Sequence, residues 1–490
     1  MEPLSWLGLV GAALAAGVSL VADGRLRAVA MVAALVLAPG VVAGDVWNTE
    51  RVVELRESTG QVAALGVGSI VVIAVVAWAL HRRPEALPIV AVAVLPFRIP
   101  IELGGERANL LLPLYLVIGG AVVALAVGAW RELPAAARAR EPGSRWMAHA
   151  VRWLPWLLAG FLVLYAVQSA WSADPSKAIE NVGFFFVPFA VLFSLLARAR
   201  WTARTLATVL AVVVAEALVF SLVAFGQYVA GDVFWNPEVI AANEAHTYFR
   251  VNSLFWDPNI FGRYLVLVVL AVAAYMVWTP DSRRAWVSAG VCAPLLAAIA
   301  LTFSQSSLVA LLGGLLALAA VRWGARWALV GVAVAALAGA ALLAASGADL
   351  NSVKSLDIRS SGRASLVRGG LELAADRPLA GHGTGSFAVE FGRRFPDEAE
   401  GTGAISHTEP VTVAAEQGLL GLIPYLALLA AVAGTLLTVP RRLPVARSAL
   451  VACFAGLFVH SLAYAGLLID PVTWAIAAAG FALARYSVQD

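Results

Sequence analysis

The chain has 490 residues, of which 61% are hydrophobic and only 13% are charged, and its formal net charge is +3. This charged share is about half that of soluble domains. The apolar residues fall in blocks of about 20 rather than in amphipathic stripes, which excludes a soluble globular fold. Backbone groups in lipid must pair within their own segment, so helices are predicted rather than barrel strands. The fold class is therefore all-α, a polytopic membrane helix bundle of about 13–15 spans.

The apolar blocks are separated by short polar, Arg-rich or Pro-rich joints. The first block follows Met1-Glu2-Pro3 without a basic region, so we expect a retained span rather than a cleaved signal peptide. The block at 86–97 is short, ends in Leu95-Pro96-Phe97-Arg98 and is compatible with a re-entrant segment. The predicted spans are 3–23, 25–44, 61–80, 86–97, 110–130, 152–171, 177–198, 203–229, 259–279, 285–303, 305–321, 326–346, 413–438, 446–466 and 470–487.

Arginine clusters mark every second joint, and short cytoplasmic loops are enriched in Lys and Arg. The joints between them are acidic or mixed, such as 45–60, and are predicted to face outward. Two outward joints are long, at 230–258 and 347–412, and long loops are often functional. The inward clusters are Arg25 and Arg27; Arg82 and Arg83; Arg131, Arg138, Arg140, Arg145 and Arg152; Arg198, Arg200 and Arg204; Arg283 and Arg284; Arg322 and Arg326; and Arg441, Arg442 and Arg447.

This pattern divides the chain into four parts. N-terminal membrane helices occupy 1–202, and core membrane helices with the outer loop 230–258 occupy 203–346. Residues 347–412 form an extracytoplasmic loop subdomain, and C-terminal membrane helices occupy 413–490. Cys292 and Cys453 both lie inside apolar blocks, so neither a structural disulfide nor a thiolate metal site is expected.

The first long outer loop ends in Asp257-Pro258-Asn259, a capping residue and a proline that predict the start of a span. Arg250 lies shortly before it. A guanidinium near a helix N-terminus at the membrane surface suits a phosphate, because its fork geometry and the helix dipole act together. The alternative for Arg250 is an interfacial arginine that snorkels or is ion-paired.

The second long outer loop predicts an amphipathic helix over 363–375, stopped by Pro378 and followed by Gly381-x-Gly383-x-Gly385. Such a run could bring backbone amides close to an anion, or it could be only a tight turn. His407 then precedes the next span, with Glu416 nine residues later. A histidine at a helix start tends to stay neutral, which is the form that a general base needs. The alternative is a loop histidine without a role.

Other polar residues are weaker candidates. Glu216 is a carboxylate within an apolar run and is either functional or protonated or paired within the bundle. Ser304 to Ser307 form a polar group between two spans, and Asp470-Pro471 predicts a helix cap. The alternative of a metal site would use His382, His407, Glu409 and Asp257, although their spacing matches no known metal pattern.

In their order and spacing, three segments resemble the O-antigen ligase and O-antigen polymerase superfamily, over about residues 203–440. They are Arg250 with Phe255 and Asp257-Pro258-Asn259; Arg363 through Pro378-Leu379-x-Gly381-x-Gly383 to Phe387; and His407 with Glu416-x-Gly418-Leu-Leu-Gly421. Two positions depart from the family pattern. Thr408 stands where the family usually has Asn, and Gln305 stands where many members have an arginine thought to hold the lipid diphosphate. Arg263, Arg363 or Arg368 could compensate.

The resemblance implies a GT-C-like membrane glycosyltransferase that is metal-independent, needs no cofactor and inverts the anomeric carbon. Its donor would be a glycan on undecaprenyl diphosphate, and its acceptor a hydroxyl of a glycan, a lipid or a wall polymer. His407 would activate the acceptor and Arg250 would bind the diphosphate. Substrate-binding roles would fall to Gln305, Asn259 and Glu416 as well as to Arg263, Arg363 and Arg368.

The same resemblance implies the cytoplasmic membrane of a bacterium, with membrane lipids as the surroundings, no nucleic-acid partner and the site on the extracytoplasmic face. It does not separate a polymerase from a ligase. A polytopic transporter or flippase of a lipid-linked glycan is the alternative. Against it, no pair of Gly/Pro-broken helices recurs in two halves, and the long polar loops lie on one face only.

Overall fold

The computed structural model describes residues 3–49, 52–53, 59–103, 106–129, 145–245, 247–345, 363–396 and 406–485. The predicted arginines at 131, 138 and 140 lie outside these ranges, as do the ends of the second long loop, at 346–362 and 397–405. The described helices are α1 Pro3–Val21, α2 Gly24–Val46, α3 Thr59–Arg82, α4 Leu87–Val94, α5 Leu112–Ala129, α6 Arg145–Gln168, α7 Pro175–Glu180, α8 Val187–Leu196, α9 Ala203–Ala230, α10 Pro237–Ala245, α11 Pro258–Trp278, α12 Ser282–Leu301, α13 Gln305–Trp323, α14 Ala325–Ala345, α15 Arg363–Asp376, α16 Phe387–Arg394, α17 Glu409–Thr438, α18 Pro444–Ser461 and α19 Pro471–Arg485.

Eleven helical segments of the described residues are long and apolar enough to cross a membrane. Four shorter apolar helices, at Pro84–Val94, Leu112–Gly128, Ala325–Val334 and Pro471–Arg485, coincide with the remaining predicted spans. The prediction of a polytopic all-α bundle is therefore confirmed, and the chain is a multi-pass membrane protein. The segment Pro175–Leu196 is continuous because a π-turn at Asn181–Phe186 joins α7 to α8.

A small β-hairpin interrupts the helices after α4. Its strands are β1 Ile99–Leu103 and β2 Glu106–Leu110, which pair antiparallel with Ile99 opposite Leu110. The sequence analysis did not predict it, because it treated 98–109 as a polar joint. The block predicted at 86–97 contains α4, which has only eight residues. At 1.5 Å per residue this helix is about 12 Å long, well short of a bilayer core.

The buried side chains of the described residues form two large clusters. One cluster joins the N-terminal helices to α17 and α19, with Tyr425 and Trp474 among its members. The other joins α9, α11, α12, α13 and α18, with Phe220 and Phe261 inside it. The four-part division of the chain stays a prediction.

The predicted outer joints meet at one end of the bundle. Arg250 binds the carbonyl oxygen that follows α12, and Thr408 before α17 binds the carbonyl of Leu462 after α18. Basic joints lie at the other end, where Arg198 donates to the carbonyls of Leu20 and Ala22. The candidate site is therefore assembled from loops that the alternation of charge had assigned to one face.

Candidate functional site

The loop before α11 holds Arg250 in place from two sides. Asn243 binds the backbone of Arg250, through its amide at 2.9 Å and its carbonyl at 3.0 Å. The guanidinium then donates from Nε to the carbonyl oxygen of Thr302 at 2.9 Å and from Nη2 to Oδ1 of Asn259 at 3.3 Å. These bonds use two of its five N–H donors, so three remain for a ligand as far as the described residues are concerned.

The predicted helix start at Asp257 is confirmed. Its Oδ1 accepts hydrogen bonds from the amides of Asn259 at 2.5 Å and Ile260 at 3.3 Å. Burial raises the pKa of Asp257, while the hydrogen bond from the Asn259 amide and the charge of Arg250 lower it in part. Asn259 is thus a support for Arg250, and its predicted contact with a substrate stays a prediction.

Arg263 lies in the second turn of α11 and pairs with Asp470 across the bundle. Its Nη2 is 2.5 Å from Oδ2 of Asp470, and both side chains are buried. The predicted cap at Asp470 is also confirmed, because its Oδ1 accepts from the Val472 amide at 2.8 Å. Arg263 is therefore the one arginine of the site, among the described residues, whose charge a carboxylate directly neutralises.

Arg363 begins α15 and is half-buried near Arg250. Burial lowers the pKa of its guanidinium, and the positive charge of Arg250 lowers it further. Neither Arg250 nor Arg363 forms an ion pair with a carboxylate of the described residues. Two guanidinium groups held this close, with no ion pair to a described carboxylate, favour an anion with more than one charge.

His407 immediately precedes α17 and has a left-handed backbone with φ of 55°. Burial lowers the pKa of His407, and the charge of Arg363 lowers it further. Both effects favour the neutral imidazole, with burial as the larger cause, whereas the sequence analysis had expected the helix dipole to act in this direction. A neutral imidazole beside Arg363 can accept a proton near a bound anion.

Backbone strain is concentrated around this group. Among the described residues, the non-glycine residues with positive φ are Ser253, Phe303 and His407, at 53°, 49° and 55°. All three lie in joints at the same end of the bundle. Such conformations cost free energy and persist where the surrounding structure fixes them, which is common at functional sites. At His407 the fixing residues include Ser406, whose hydroxyl accepts from the Thr408 amide at 3.1 Å.

Glu416 binds the glycine-rich segment of the second loop. We call residues 381–387 the glycine turn. Oε2 of Glu416 accepts from the Gly385 amide at 2.9 Å, and Oε1 accepts from the Phe387 amide at 3.1 Å. The sequence suggested that this run could bring amides close to an anionic ligand, but in the structure these two amides bind the protein's own Glu416 carboxyl group. The predicted role of Glu416 in substrate binding stays a prediction.

A break in α17 at Gly418 explains the spacing of the glycines there. Gly418 has φ of 60°, and a Cβ at this position would lie 2.5 Å from the carbonyl carbon of Leu379. The amides that the break releases are bound by the other chain segment, Leu419 by the Pro378 carbonyl at 2.8 Å and Leu420 by that of Leu379 at 3.0 Å. Only glycine fits this conformation and this close approach.

Two other predicted residues lie apart from these contacts. Gln305 is exposed at the start of α13, next to Ser304, whose hydroxyl caps that helix by accepting from the Ser307 amide at 3.2 Å. Arg368 is exposed on α15 and pairs with Glu372 at 3.9 Å. For both residues, substrate binding stays a prediction.

The residues of the alternative metal site have separate partners. His382 binds the Leu373 carbonyl at 3.1 Å through Nε2, and Glu409 accepts from the amides of Gly466 at 2.8 Å and Leu468 at 3.2 Å. Within the described ranges, no three His, Cys, Asp or Glu side chains are grouped as metal ligands.

The sequence analysis missed Arg98 and Tyr464. Burial lowers the pKa of Arg98, the charge of Asp470 raises it, and that of Arg263 lowers it, so this arginine lies beside the Arg263–Asp470 pair. We call Arg98, Arg250, Arg263 and Arg363 the cation cluster. The sequence signal that could have identified Arg98 was its location, because arginines are depleted in outward joints. An arginine found there is therefore a candidate for a specific role.

Tyr464 lies among these charges. Its ring centroid is 6.0 Å from that of His407 and 5.6 Å from that of His460. Burial raises the pKa of Tyr464 and the charge of Asp257 raises it further, while Arg263, Arg98 and Arg250 act in the opposite direction. Nothing in the short joint around Tyr464 distinguished this tyrosine in the sequence.

Comparison with known proteins covers part of this region. Residues 290–426 match the model of the O-antigen ligase family. A search of curated proteins finds no match to the chain. The matched region contains Arg363, His407 and Glu416, whereas Arg98, Arg250 and Tyr464 lie outside it. The resemblance seen in the sequence is therefore confirmed over residues 290–426, the region of the chain that is similar to the O-antigen ligase family.

Proposed function

We propose that this protein is a membrane glycosyltransferase that transfers or polymerises a glycan from an undecaprenyl-diphosphate-linked donor onto an acceptor hydroxyl. One observation carries the proposal. Arg250 and Arg363 form no ion pair with a described carboxylate, and they lie at one end of a bundle of membrane-length helices together with His407, whose pKa is lowered by burial and by Arg363. A lipid diphosphate carries negative charge that would neutralise these guanidinium groups. It would be presented at the same membrane surface.

Donor binding uses the cation cluster. Guanidinium groups bind phosphate oxygens in a fork geometry, and their charge is permanent. Asn243, Asn259 and the Thr302 carbonyl already hold Arg250 in position. The arginine side chain therefore loses little conformational entropy when it binds a phosphate. Arg263 contributes a charge that Asp470 already balances, which makes Arg250 and Arg363 the primary phosphate ligands.

His407 supplies the base for the transfer step. The acceptor hydroxyl gives its proton to the neutral imidazole while its oxygen forms a bond to the anomeric carbon. The bond between that carbon and the diphosphate oxygen breaks, and its electron pair leaves with the polyprenyl diphosphate. Attack opposite the leaving group inverts the anomeric carbon. The arginines stabilise the charge that develops on the leaving diphosphate, a role that a metal ion has in other enzymes.

The proposed location is the cytoplasmic membrane of a bacterium, with the site facing outward. Arginine-rich joints lie at the end of the bundle opposite His407, as expected for cytoplasmic loops. The acceptor would be a glycan, a lipid or a wall polymer that reaches this surface from outside the cell.

The test uses the full-length protein in lipid nanodiscs with a polyprenyl-diphosphate glycan, an acceptor glycan and EDTA. Released polyprenyl diphosphate is measured by mass spectrometry. We expect release by the wild type, and release slower by about 10²–10³-fold in His407→Ala and in Arg250→Ala. Arg283→Ala, which removes an exposed arginine from the opposite end, is the matched control and should retain wild-type release.

Two results would overturn the proposal. Wild-type rates in both variants would show that neither residue takes part in the reaction. Movement of the lipid-linked glycan across the bilayer without any release of diphosphate would identify a flippase. In cells that depend on the protein, both variants should also alter the glycan ladder on a gel.

A further inference from the structure

The joint at 462–470, between α18 and α19, is fixed against the site although it lies outside the matched family region. Thr408, the neighbour of His407, donates from Oγ1 to the Leu462 carbonyl at 2.9 Å. The Glu409 carboxylate accepts from the amides of Gly466 and Leu468 and also from that of Leu467. At its other end, Asp470 pairs with Arg263. The joint is therefore held by both α17 and α11, the helices that carry His407 and the Arg250 loop.

These constraints position Tyr464 at the centre of the polar groups. Its ring contacts those of His407 and His460. The charges of Arg98, Arg250 and Arg263 all affect the pKa of the Tyr464 hydroxyl. The charge of Tyr464 in turn affects the pKa of Arg363. Each member of the cation cluster thus lies near this single phenol, as does the proposed base.

The hydroxyl of Tyr464 differs from those of three other tyrosines in the bundle. Tyr115 donates to the Phe184 carbonyl at 2.6 Å, Tyr165 accepts from Asn181 at 2.7 Å, and Tyr264 binds Glu216 at 2.9 Å. No described residue forms a hydrogen bond with the Tyr464 hydroxyl. The side chain is only partly buried, so a ligand can reach it. A phenol without a hydrogen-bond partner among four arginines has no acceptor for its O–H group. A phosphate oxygen would supply that acceptor.

We propose that Tyr464 is a further donor-binding residue, whose hydroxyl donates a hydrogen bond to a non-bridging oxygen of the lipid diphosphate held by the cation cluster. This assignment rests on the proposed function. Because burial raises the pKa of Tyr464, the phenol keeps its proton near neutral pH and acts as a donor rather than as a base. The contact would tie the C-terminal part of the chain to a site whose other ligands come from the Arg250 loop and the second outer loop.

The experiment compares Tyr464→Phe with Tyr464→Leu in the full-length protein. Phe keeps the ring that packs against His407 and His460 and removes only the hydroxyl, whereas Leu removes both. The probes are geranylgeranyl diphosphate and the uncharged geranylgeraniol, with dissociation constants measured in nanodiscs. The matched control is Tyr425→Phe, because Tyr425 is buried in the bundle and its hydroxyl has no partner among the described residues.

We expect Tyr464→Phe to weaken binding of the diphosphate by about tenfold, as expected for one hydrogen bond to a charged acceptor. Its affinity for geranylgeraniol should be unchanged, and Tyr425→Phe should match the wild type with both probes. Wild-type diphosphate affinity in Tyr464→Phe with a loss only in Tyr464→Leu would assign Tyr464 to ring packing and overturn the proposal.

The failure of this assignment is distinguishable from failure of the proposed function. If Arg250→Ala loses diphosphate binding and Tyr464→Phe does not, only the assignment of Tyr464 is overturned. Absence of diphosphate binding by the wild type would remove the proposed function and this assignment together.

Discussion

The glycine turn and the cation cluster lie on the same face of the bundle, but they differ in whether their charged side chains have partners within the protein. In the turn, both oxygens of Glu416 accept backbone amides, and the amides freed by the break at Gly418 are bound by Pro378 and Leu379. In the cluster, Arg250 and Arg363 repel each other and have no carboxylate partner among the described residues.

We interpret this difference as one between a scaffold and the proposed binding site. Polar groups that are fully bonded within the protein stabilise a fold, because a buried group without a partner costs free energy. Like charges that are held together without neutralisation destabilise the protein until an anion binds. The comparison supports the proposal that neighbouring motifs have different tasks, in which the glycine turn anchors the loop and the arginines bind the donor.

The largest expected effect tests the scaffold side of this comparison. Glu416→Ala removes a buried acceptor and leaves two amides without partners, at a cost of about 3 kcal/mol or more at roughly 1.5–3 kcal/mol for each hydrogen bond to a charged group. We expect a clear fall in the thermal unfolding midpoint, followed by tryptophan fluorescence in detergent. Glu372→Ala, which removes an exposed carboxylate of the same loop, is the control and should change the midpoint little. An unchanged midpoint in Glu416→Ala together with weaker donor binding would instead make Glu416 a substrate ligand, and the comparison would fail.

The bundle could be predicted because its cause is local in sequence. Apolar blocks of bilayer length form helices wherever they occur, and the arginine joints give them an alternating direction. The helix start at Asp257 was equally local, because the cap bonds amides only two and three residues away. The motifs that resemble the family also indicated which two outer loops carry the candidate site residues.

The contacts of the site could not be predicted in the same way, because they join residues that are far apart in sequence. Glu416 was recognised, but its partners at Gly385 and Phe387 lie about 30 residues earlier across a turn. Arg98 comes from the N-terminal part and Asp470 from the last joint, and no periodic pattern relates them. The hairpin at 99–110 depends on pairing between two short strands, which a search for apolar blocks does not detect.

A medium effect tests the electrostatics of the cluster. The neutral form of His407 is the proposed base, so kcat/KM should fall as the pH drops through its pKa, which burial and Arg363 hold below the usual value of about 6.5. Arg363→Gln removes one positive charge, so the pKa of His407 should rise towards that value. The acid limb of the pH–rate profile should therefore move to higher pH, by about half a unit to one unit.

The control for this shift is Arg393→Gln, which removes an exposed arginine of the same loop that pairs with Glu390 at 2.9 Å. Its acid limb should coincide with that of the wild type. An acid limb that stays in place in Arg363→Gln would contradict either the contact between the two residues or the role of His407 as the base.

The smallest expected effect concerns Arg368, which the sequence analysis grouped with Arg363 as a substrate ligand. Arg368 lies on the exposed side of α15 and pairs with Glu372 at 3.9 Å, a kind of surface contact worth about 0.3–0.5 kcal/mol. Arg368→Ala should therefore leave kcat/KM within about twofold of the wild type and shift the unfolding midpoint little. Steady-state release of polyprenyl diphosphate, measured beside Arg250→Ala, checks this. A tenfold or larger loss in Arg368→Ala would add Arg368 to the cation cluster. The boundary between scaffold and ligand site would then pass through α15 itself, because the helix's exposed face would carry part of the donor site.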